Sequence, residues 1–297
     1  MKLKLATGDA RMKIVPISNP RDLKAAVEVQ VSAWGSSCHD ITPAHVLKAV
    51  AENGGLVLGA FDGDRLVGFS WGFPVYGDSK PYFYSHQTGV IEERKYGGVG
   101  FMLKKAQREY VLRMGFDLIK WTFDPMQSLN ANFNVNKLGV IVRVFKENYY
   151  GELEDDINRG MPTDRFVAEW WIRSPRVVER VEKLGRPSLE ELSRVVRIDY
   201  VVDYSGDLPR YRGLRRSSSR VVGIYIPKNI SRLRDLSRED ALGWRLGIRE
   251  ALDYYINREG YTVAEYFNLD EKIGVYILAR IDPEEILSKP SWWISTI

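Results

Sequence analysis

The sequence predicts an α/β fold with a mixed sheet of strands and helices, and three features of the chain lead to this prediction. Short apolar segments typical of strands alternate with longer segments whose apolar residues keep helical spacing. The turn Asp62-Gly63-Asp64 joins two of the apolar segments as a hairpin. Another apolar segment, 82–90, runs into a glycine-rich loop that opens an amphipathic helix. Strands and helices in alternation therefore define the fold class.

The first elements of the chain have clear start and stop signals. A strand is predicted over 12–17. Asn19-Pro20 and Thr42-Pro43 each place an N-cap before a proline in the first helical turn, so a helix is predicted after both. Gly54 ends the second helix. Strands are then predicted over 56–61, 66–73 and 82–90.

The helix after the glycine loop carries apolar residues on one side and charged residues on the other. Leu103, Ala106 and Tyr110 keep helical spacing on the first side, and Gly115 ends the helix. The charged side holds the basic residues Lys104, Lys105 and Arg108. A strand over 116–123, a short helix over 130–138 and a strand over 166–172 are predicted next.

The loop itself predicts a binding site for a phosphate or pyrophosphate. Gly97, Gly98 and Gly100 let the backbone turn its N–H groups toward one point, and the helix start adds unpaired donors with partial positive charge. The spacing does not match a P-loop, and Leu103 stands where a dinucleotide-binding fingerprint needs its third glycine. An ordinary strand-to-helix turn is the alternative.

The segment resembles the pyrophosphate-binding loop of the GNAT N-acyltransferase superfamily. Val90, Lys95, Gly98 and Gly100 match positions of that loop, while Glu92 replaces its usual proline. The order of predicted elements over 12–172 also resembles a complete GNAT domain. The following longer motifs resemble a subfamily known as predicted GNAT acetyltransferases with a C-terminal extension: Trp121-Thr122-Phe123-Asp124-Pro125, Asn130-Ala131-x-Phe133-Asn134, Pro162-Thr163-Asp164-Arg165 and Ala241-x-x-Trp244-Arg245.

The resemblance implies an acyl-CoA-dependent N-acyltransferase, in its simplest form one that moves an acetyl group from acetyl-CoA to a primary amine of a small molecule. It implies splayed central strands, with the pantetheine arm of the cofactor lying between them. A CoA-binding sensor or a structural protein without turnover is the alternative. The residues implied in cofactor binding are Gly89, Val90, Lys95, Tyr96, Gly97, Gly98, Val99, Gly100, Phe101, Asn130 and Asn134. Lys104, Lys105 or Arg108 would meet the ribose phosphate or form a solvated helix face.

The catalytic groups are less well defined by the sequence. His86 is the leading candidate for the general base, because an unperturbed imidazole titrates near neutral pH, and a packed structural histidine is the alternative. Asp124 and Glu92 are the other candidate bases. For the general acid, Val135 stands where the family often has a tyrosine, so Tyr149, Tyr150 or a water would replace it. Trp34, Trp71 and Tyr84 are candidates to line the acceptor pocket.

The chain is predicted to form an N-terminal extension over 1–11, an acyl-CoA-binding domain over 12–173 and a smaller α/β domain over 174–297. Strands at 195–202 and 221–226, a helix from 238 to Gly260 and a hairpin at 261–267 and 272–281 are predicted in the last part. This order suggests a degenerate GNAT-like half. The boundary is placed in the linker 174–188, which carries Pro175, Gly185 and Pro187.

Composition limits the remaining possibilities. The net charge of +4 over 297 residues argues against nucleic-acid binding as the main function. A cytoplasmic protein is expected, with a homodimer left open. The arginine-rich segment 210–220 is predicted to be a mobile loop, with a clamp for anionic groups as the alternative. Cys38, His39 and His45 are interpreted as loop and helix-start residues, and no metal site is predicted.

Overall fold

The computed structural model describes residues 12–34, 41–77, 80–93, 96–151 and 160–296. The chain divides into two compact units: an N-terminal unit, Met1–Trp121 with Leu153–Gly160, and a C-terminal unit, Thr122–Glu152 with Met161–Ile297. The first boundary between the two units falls after residue 121, whereas the sequence analysis predicted a domain boundary after residue 173. The predicted extension 1–11 lies outside the described residues.

The N-terminal unit is a mixed sheet with helices. Its elements are β1 (Met12–Pro16), α1 (Pro20–Trp34), α2 (Ala44–Glu52), β2 (Leu56–Asp62), β3 (Arg65–Val75), β4 (Tyr82–Val90), α3 (Val99–Arg113) and β5 (Leu118–Phe123), the last two residues of β5 belonging to the C-terminal unit. The strand order is β1-β2-β3-β4-β5. All neighbours are antiparallel except β4 and β5, which are parallel. The predicted α/β fold class with a mixed sheet is confirmed.

Helices pack on this sheet at positions where small residues allow a close approach. A side chain at Gly68 of β3 would meet Leu103 and Val99 of α3 at 3.1 and 3.2 Å. The next residue, Phe69, faces the other side of the sheet and contacts Trp34 of α1 edge to face at 6.0 Å. Helix α3 and helix α1 therefore contact opposite faces of the same strand.

The parallel strands β4 and β5 separate soon after they meet. Among the described residues, their paired positions are Phe83 with Ile119 and Tyr84 with Lys120. Beyond Tyr84, β4 continues to Val90 beside β3. The predicted splay of the central strands is thus confirmed, and it opens at Ser85.

The C-terminal unit is a second α/β body. Its elements are α4 (Ser128–Ala131) with a π-helical segment (Asn132–Lys137), β6 (Ile141–Lys146), β7 (Arg165–Trp171), α5 (Pro175–Val181), α6 (Leu189–Val195), β8 (Asp199–Tyr200), β9 (Val202–Ser205), β10 (Arg210–Leu214), β11 (Val221–Pro227), α7 (Ile230–Leu236), α8 (Arg238–Leu252) with a π-helical segment (Asp253–Arg258), β12 (Thr262–Asn268), β13 (Ile273–Ala279), α9 (Pro283–Ser288) and a 3₁₀ turn (Trp292–Thr296). Six strands are ordered β7-β6-β12-β13-β11-β8, and β9 pairs with β10 separately.

Several local predictions for this unit were wrong. The predicted linker 174–188 contains α5, because Ser174 caps a helix that has Pro175 in its first turn. The predicted strand 195–202 starts too early, because the capping box of Ser188 and Glu191 starts α6, which runs to Val195, and the remainder is divided between β8 and β9. Strand β6 was not predicted. The predicted loop 210–220 begins as strand β10.

The C-terminal unit contains an internal repeat that the sequence did not reveal. A helix, a π-helical segment and two antiparallel strands occur twice, 121 positions apart, with the π-helical segments at Asn132–Lys137 and Asp253–Arg258. In each copy the π-helical segment is followed by a glycine with positive φ, 77° at Gly139 and 72° at Gly260. Strands β6 and β12 pair through Val142 and Val263, which are equivalent residues of the two copies. An approximate two-fold axis therefore passes through this pair.

No described helix of either unit is long and apolar enough to cross a membrane.

Candidate functional site

The glycine loop ends in a helix start that is open for hydrogen bonding. Gly98 caps α3 with φ of +95° and without a side-chain cap, and a Cβ at this position would meet nothing within 4 Å. Its carbonyl accepts from Met102 N at 3.1 Å. The amides of Val99, Gly100 and Phe101 have no hydrogen-bond acceptor among the described residues. This part of the loop therefore offers donors that an anion could use, and the predicted diphosphate contact stays a prediction. Lys95 lies outside the described residues.

Tyr96 fixes the loop to the sheet. Its side chain is buried, and its hydroxyl donates to Asp62 Oδ2 at the end of β2 at 2.9 Å. Gly97 and Gly98 next to it are exposed. The sequence predicted that the Tyr96 amide contributes to cofactor binding; in the structure this amide donates to Glu93 O at 2.9 Å, and the side chain anchors the exposed glycines.

The splay leaves one edge of β4 open. Gly89 and Val90 pair with Phe69 and Gly68 of β3 on one side. On the other side, β4 has no described strand partner after Tyr84. Gly89 is required for packing, since a Cβ would lie 2.8 Å from the Phe69 ring. An extended chain with amide groups could add to this open edge in the manner of a strand.

Lys104 lies inside the N-terminal unit, where the sequence predicted a solvated position or a phosphate contact. Its side chain is 3% exposed, and its ammonium donates to Ser85 Oγ at 3.0 Å and to Gln107 Oε1 at 2.9 Å. It also lies 3.7 Å from the centre of the Trp121 ring. Both predicted roles are therefore wrong for Lys104. Arg108 is buried as well, and Lys105 is partly buried.

Burial lowers the pKa of Lys104 well below its usual value. The unfolded chain then holds this proton more tightly than the folded chain, so the free energy of unfolding rises with pH from the folded pKa up to about 10.5. We expect Lys104→Met to lack this increase, so the free energy of unfolding of wild type should rise relative to that of the variant between pH 7 and 10. Urea unfolding at several pH values measures both free energies. Lys105→Met is the control, and an equal pH dependence of both variants would contradict the prediction.

His86 lies at an irregularity of β4. Trp71 pairs with Gln87 and Gly72 pairs with Ser85, so His86 is the extra residue of a β-bulge. Its ring contacts the Trp71 ring edge to face, with centroids 4.6 Å apart, and the Tyr84 ring at 6.0 Å. Part of the imidazole stays exposed. The partial burial lowers the pKa of His86 from 6.5, and a hydrogen bond to its own backbone offsets only part of this shift.

The α1–α2 connection is tied to the same strand. Gln87 Oε1 accepts from Trp71 Nε1 and from Thr42 Oγ1, both at 2.9 Å. Gln30 of α1 in turn accepts from the Thr42 amide at 2.7 Å. This network orients Trp71 beside His86. Cys38 and His39 lie outside the described residues, and His45 is an exposed residue of α2.

Asp124 is engaged in a buried ion pair in the C-terminal unit. Its two oxygens accept from Arg245 of α8 at 2.6 and 2.7 Å, and Oδ1 also accepts from Met126 N at 2.8 Å. Asp164 and Arg249 form a second pair at 2.7 Å. The carboxylate of Asp124 is therefore committed to structure, which disfavours the predicted role as a base. Glu92 is exposed.

The other predicted residues of the C-terminal unit differ in their surroundings. Tyr149 is 46% exposed and packs edge to face on Tyr150, whose hydroxyl bonds Thr122 at 2.8 Å. Asn130 is exposed. Asn134 is 4% exposed, and its carboxamide has no hydrogen-bond partner among the described residues. It lies in a π-helical segment, a feature frequent at functional sites. Of these residues, Asn134 retains the strongest case for ligand binding.

The arginine-rich segment pairs mostly with carboxylates of its own unit. Arg210, Arg215 and Arg216 form ion pairs with Asp240, Asp199 and Glu250 at 3.2, 3.0 and 3.6 Å. These contacts do not favour the predicted anion clamp. Among the residues the structure describes, no three His, Cys, Asp or Glu side chains are grouped so that they could hold a metal ion.

Searches with protein-family models and among curated proteins found no match to this sequence. Solved structures with a similar arrangement include an aminoglycoside 6'-acetyltransferase type Ii, with 19% identity and a TM-score of 0.43, covering 54% of this chain and 96% of that chain. The ribosomal-protein-S18-alanine N-acetyltransferase from Escherichia coli has 14% identity and a TM-score of 0.44, covering 54% and 94%. An acetyltransferase of the GNAT family from Streptococcus pneumoniae has 13% identity and a TM-score of 0.44, covering 53% and 98%. These TM-scores are below 0.5, and the likeness therefore carries no conclusion about what the chain does.

Proposed function

We propose that the protein is an acyl-CoA-dependent N-acyltransferase that transfers an acetyl group to a primary amine of a small molecule. The observation that carries the proposal is the combination of an open edge on β4 with unpaired amides at the start of α3. An extended cofactor with a diphosphate at one end needs both features, a strand-like edge for its amide-containing arm and a nest of N–H donors for its diphosphate.

Acetyl-CoA, when bound, supplies the acyl group in activated form. The amides of Val99, Gly100 and Phe101 would bind its diphosphate, and the backbone of β4 up to Gly89 and Val90 would orient its arm. His86 would accept the proton of the acceptor amine. It lies on β4 two residues beyond Tyr84, the last residue of that strand that pairs with β5. Its lowered pKa keeps it neutral at physiological pH, which is the form that accepts a proton.

Isothermal titration with acetyl-CoA tests the cofactor part of the proposal, and amine-dependent release of CoA thiol tests the transfer. Binding without thiol release over a broad set of amines would favour the second candidate, a CoA-binding sensor. That candidate is supported by the sequence, because Val135 stands where the resemblance implies a proton-donating tyrosine. Absence of binding at millimolar acetyl-CoA would contradict both the acyltransferase and the CoA-binding sensor.

The pH dependence of turnover should follow the ionisation of His86. A base is active when neutral, so kcat should fall as the pH drops through the pKa of His86 below 6.5 and should be level from there to pH 8. His86→Gln should lower kcat about a hundredfold at pH 7.5 and remove the acidic limb, the fall of kcat at low pH. The exposed His45 in α2 provides the control, since His45→Gln should leave both kcat and its acidic limb unchanged. An unchanged acidic limb in the His86 variant would contradict the assignment.

A further inference from the structure

Four rings form one surface on strands β3 and β4, which we call the aromatic surface: Trp71, Phe73, Tyr84 and His86. Neighbouring rings are in contact around a closed circuit. The centroid distances are 6.1 Å from Trp71 to Phe73, 5.7 Å from Phe73 to Tyr84, 6.0 Å from Tyr84 to His86 and 4.6 Å from His86 to Trp71. Phe73 is 37% exposed and His86 is exposed. The circuit is thus accessible from solvent.

The β-bulge brings these rings together. Trp71 and Phe73 are two residues apart on β3 and share a face, and Phe73 pairs directly with Tyr84. The extra residue in β4 lets His86 lie beside Trp71 although Trp71 pairs with Gln87. A regular strand would shift this register by one residue, so the bulge is what closes the circuit.

The chemistry of the surface favours a cation with an apolar skeleton. Aromatic ring faces carry negative potential and attract ammonium groups within about 6 Å of a ring centre. Trp71 is 4% exposed and its Nε1 donates to Gln87, so it supports the surface from below, and Phe73, Tyr84 and His86 supply the part that a ligand can reach. A neutral His86 adds no repulsive charge.

The same surroundings disfavour a polycation. Lys120, which pairs with Tyr84 across the β4–β5 contact, extends over the Tyr82 ring with its ammonium 4.7 Å from the ring centre. A ligand with several ammonium groups would bring one of them toward this fixed positive charge. One positive charge on an aryl or alkyl body avoids that repulsion.

We propose that the aromatic surface is the acceptor site and that it selects a singly charged primary ammonium on an aryl or alkyl skeleton. The inference rests on the proposed function, since it takes His86 as the group that receives the proton of the amine. His86 is itself one of the four rings, and its neighbour Tyr84 lies where β4 leaves β5. The occupant is therefore a small amine, not a second copy of the chain.

Titration calorimetry of the full chain with 2-phenylethylammonium, 2-phenylethanol and spermidine tests this. We expect the ammonium to bind about tenfold more tightly than the neutral alcohol of the same shape and more tightly than spermidine. Phe73→Leu should weaken ammonium binding about fivefold while acetyl-CoA binding stays unchanged. Phe73 is partly exposed, so the variant should fold.

Tyr76→Leu is the matched control, because Tyr76 is an aromatic residue 74% exposed that packs on Phe116 outside the aromatic surface. It should bind the ammonium like wild type. Equal binding of alcohol and ammonium, tighter binding of spermidine, or equal losses in the Phe73 and Tyr76 variants would overturn the inference. Ammonium binding in a protein without affinity for acetyl-CoA would overturn the proposed function and leave the ammonium site standing.

Discussion

Gly98→Glu should weaken acetyl-CoA binding at least about a hundredfold while the protein stays folded. Gly98 caps α3 and is exposed, and a Cβ there meets no other atom within 4 Å, so the new side chain has room. Its carboxylate would lie at the unpaired amides of Val99 and Gly100, where the diphosphate is proposed to bind. A fixed negative charge opposite the phosphates repels them, and like charges in contact cost several kcal/mol.

Two effects of the substitution act on folding in opposite directions. The φ of +95° at Gly98 is unfavourable for any side chain and costs about 1 kcal/mol. An acid at the positive end of a helix recovers part of this. The matched control is Gly98→Gln, which has the same strain and the same size without the charge. Calorimetric titration of both variants with acetyl-CoA isolates the charge effect, and similar affinities for the two would show that the diphosphate binds elsewhere.

The sequence predicted the features that depend on neighbouring residues. The glycine loop, the helix cap at Asn19 and the hairpin turn at Gly63 each carry a local signal, and the structure contains the corresponding elements. Helix α2 also forms, but the predicted cap at Thr42 is wrong: Pro43 holds the N-cap position, and the Thr42 hydroxyl donates to Gln87. The same signals gave the order of strands and helices in the N-terminal unit. The splay of β4 from β5 came from the family resemblance, since no spacing in the sequence encodes it.

The sequence could not predict features that depend on distant residues. Asp124 is committed to Arg245, which lies 121 positions further along the chain. No local pattern in the sequence around Asp124 predicts that it pairs with Arg245. Lys104 had a weak signal, because it lies three residues before Gln107 on the border of the apolar face, where its burial beside Ser85 becomes possible. The closed circuit through Phe73 required the bulge at His86, which has no reliable sequence signature.

The internal repeat was hidden for a related reason. The copies keep their geometry with few identical residues: Asn136 and Asn257, Gly139 and Gly260, and Val142 and Val263 are equivalent pairs. The backbone hydrogen bonds match closely. Leu138 N donates to Phe133 O in one copy, as Glu259 N does to Tyr254 O in the other, both at 3.0 Å. Backbone geometry can be kept by many side chains, so similarity of structure outlasts similarity of sequence.

The C-terminal unit depends on a buried group of charges at Glu265 of β12. Its carboxylate accepts from Arg176 at 2.7 Å, from Arg180 at 2.9 Å and from Trp292 Nε1 at 3.1 Å. All three charged side chains are at most 1% exposed. Burial lowers the pKa of Arg180 to about 10, so its guanidinium remains charged at neutral pH. The single negative charge of Glu265 therefore balances only part of the positive charge of Arg176 and Arg180.

Glu265→Gln should lower the free energy of unfolding by about 3–5 kcal/mol at pH 7, because it leaves two buried cations without their counter-charge. The control is Glu169→Gln in β7, a buried carboxylate whose partner Arg143 is 44% exposed and can turn to water, with an expected loss of about 1 kcal/mol.

The pKa of Glu265 gives the pH dependence of this effect. Burial raises this pKa, but Arg176 and Arg180 outweigh burial and hold it below 4.5. The stabilisation is present above pH 4.5 and is lost as the pH falls through the folded pKa. Urea unfolding from pH 3 to 7 should show the gap between wild type and Glu265→Gln narrowing in acid; equal losses for the two glutamine variants at pH 7 would contradict the assignment.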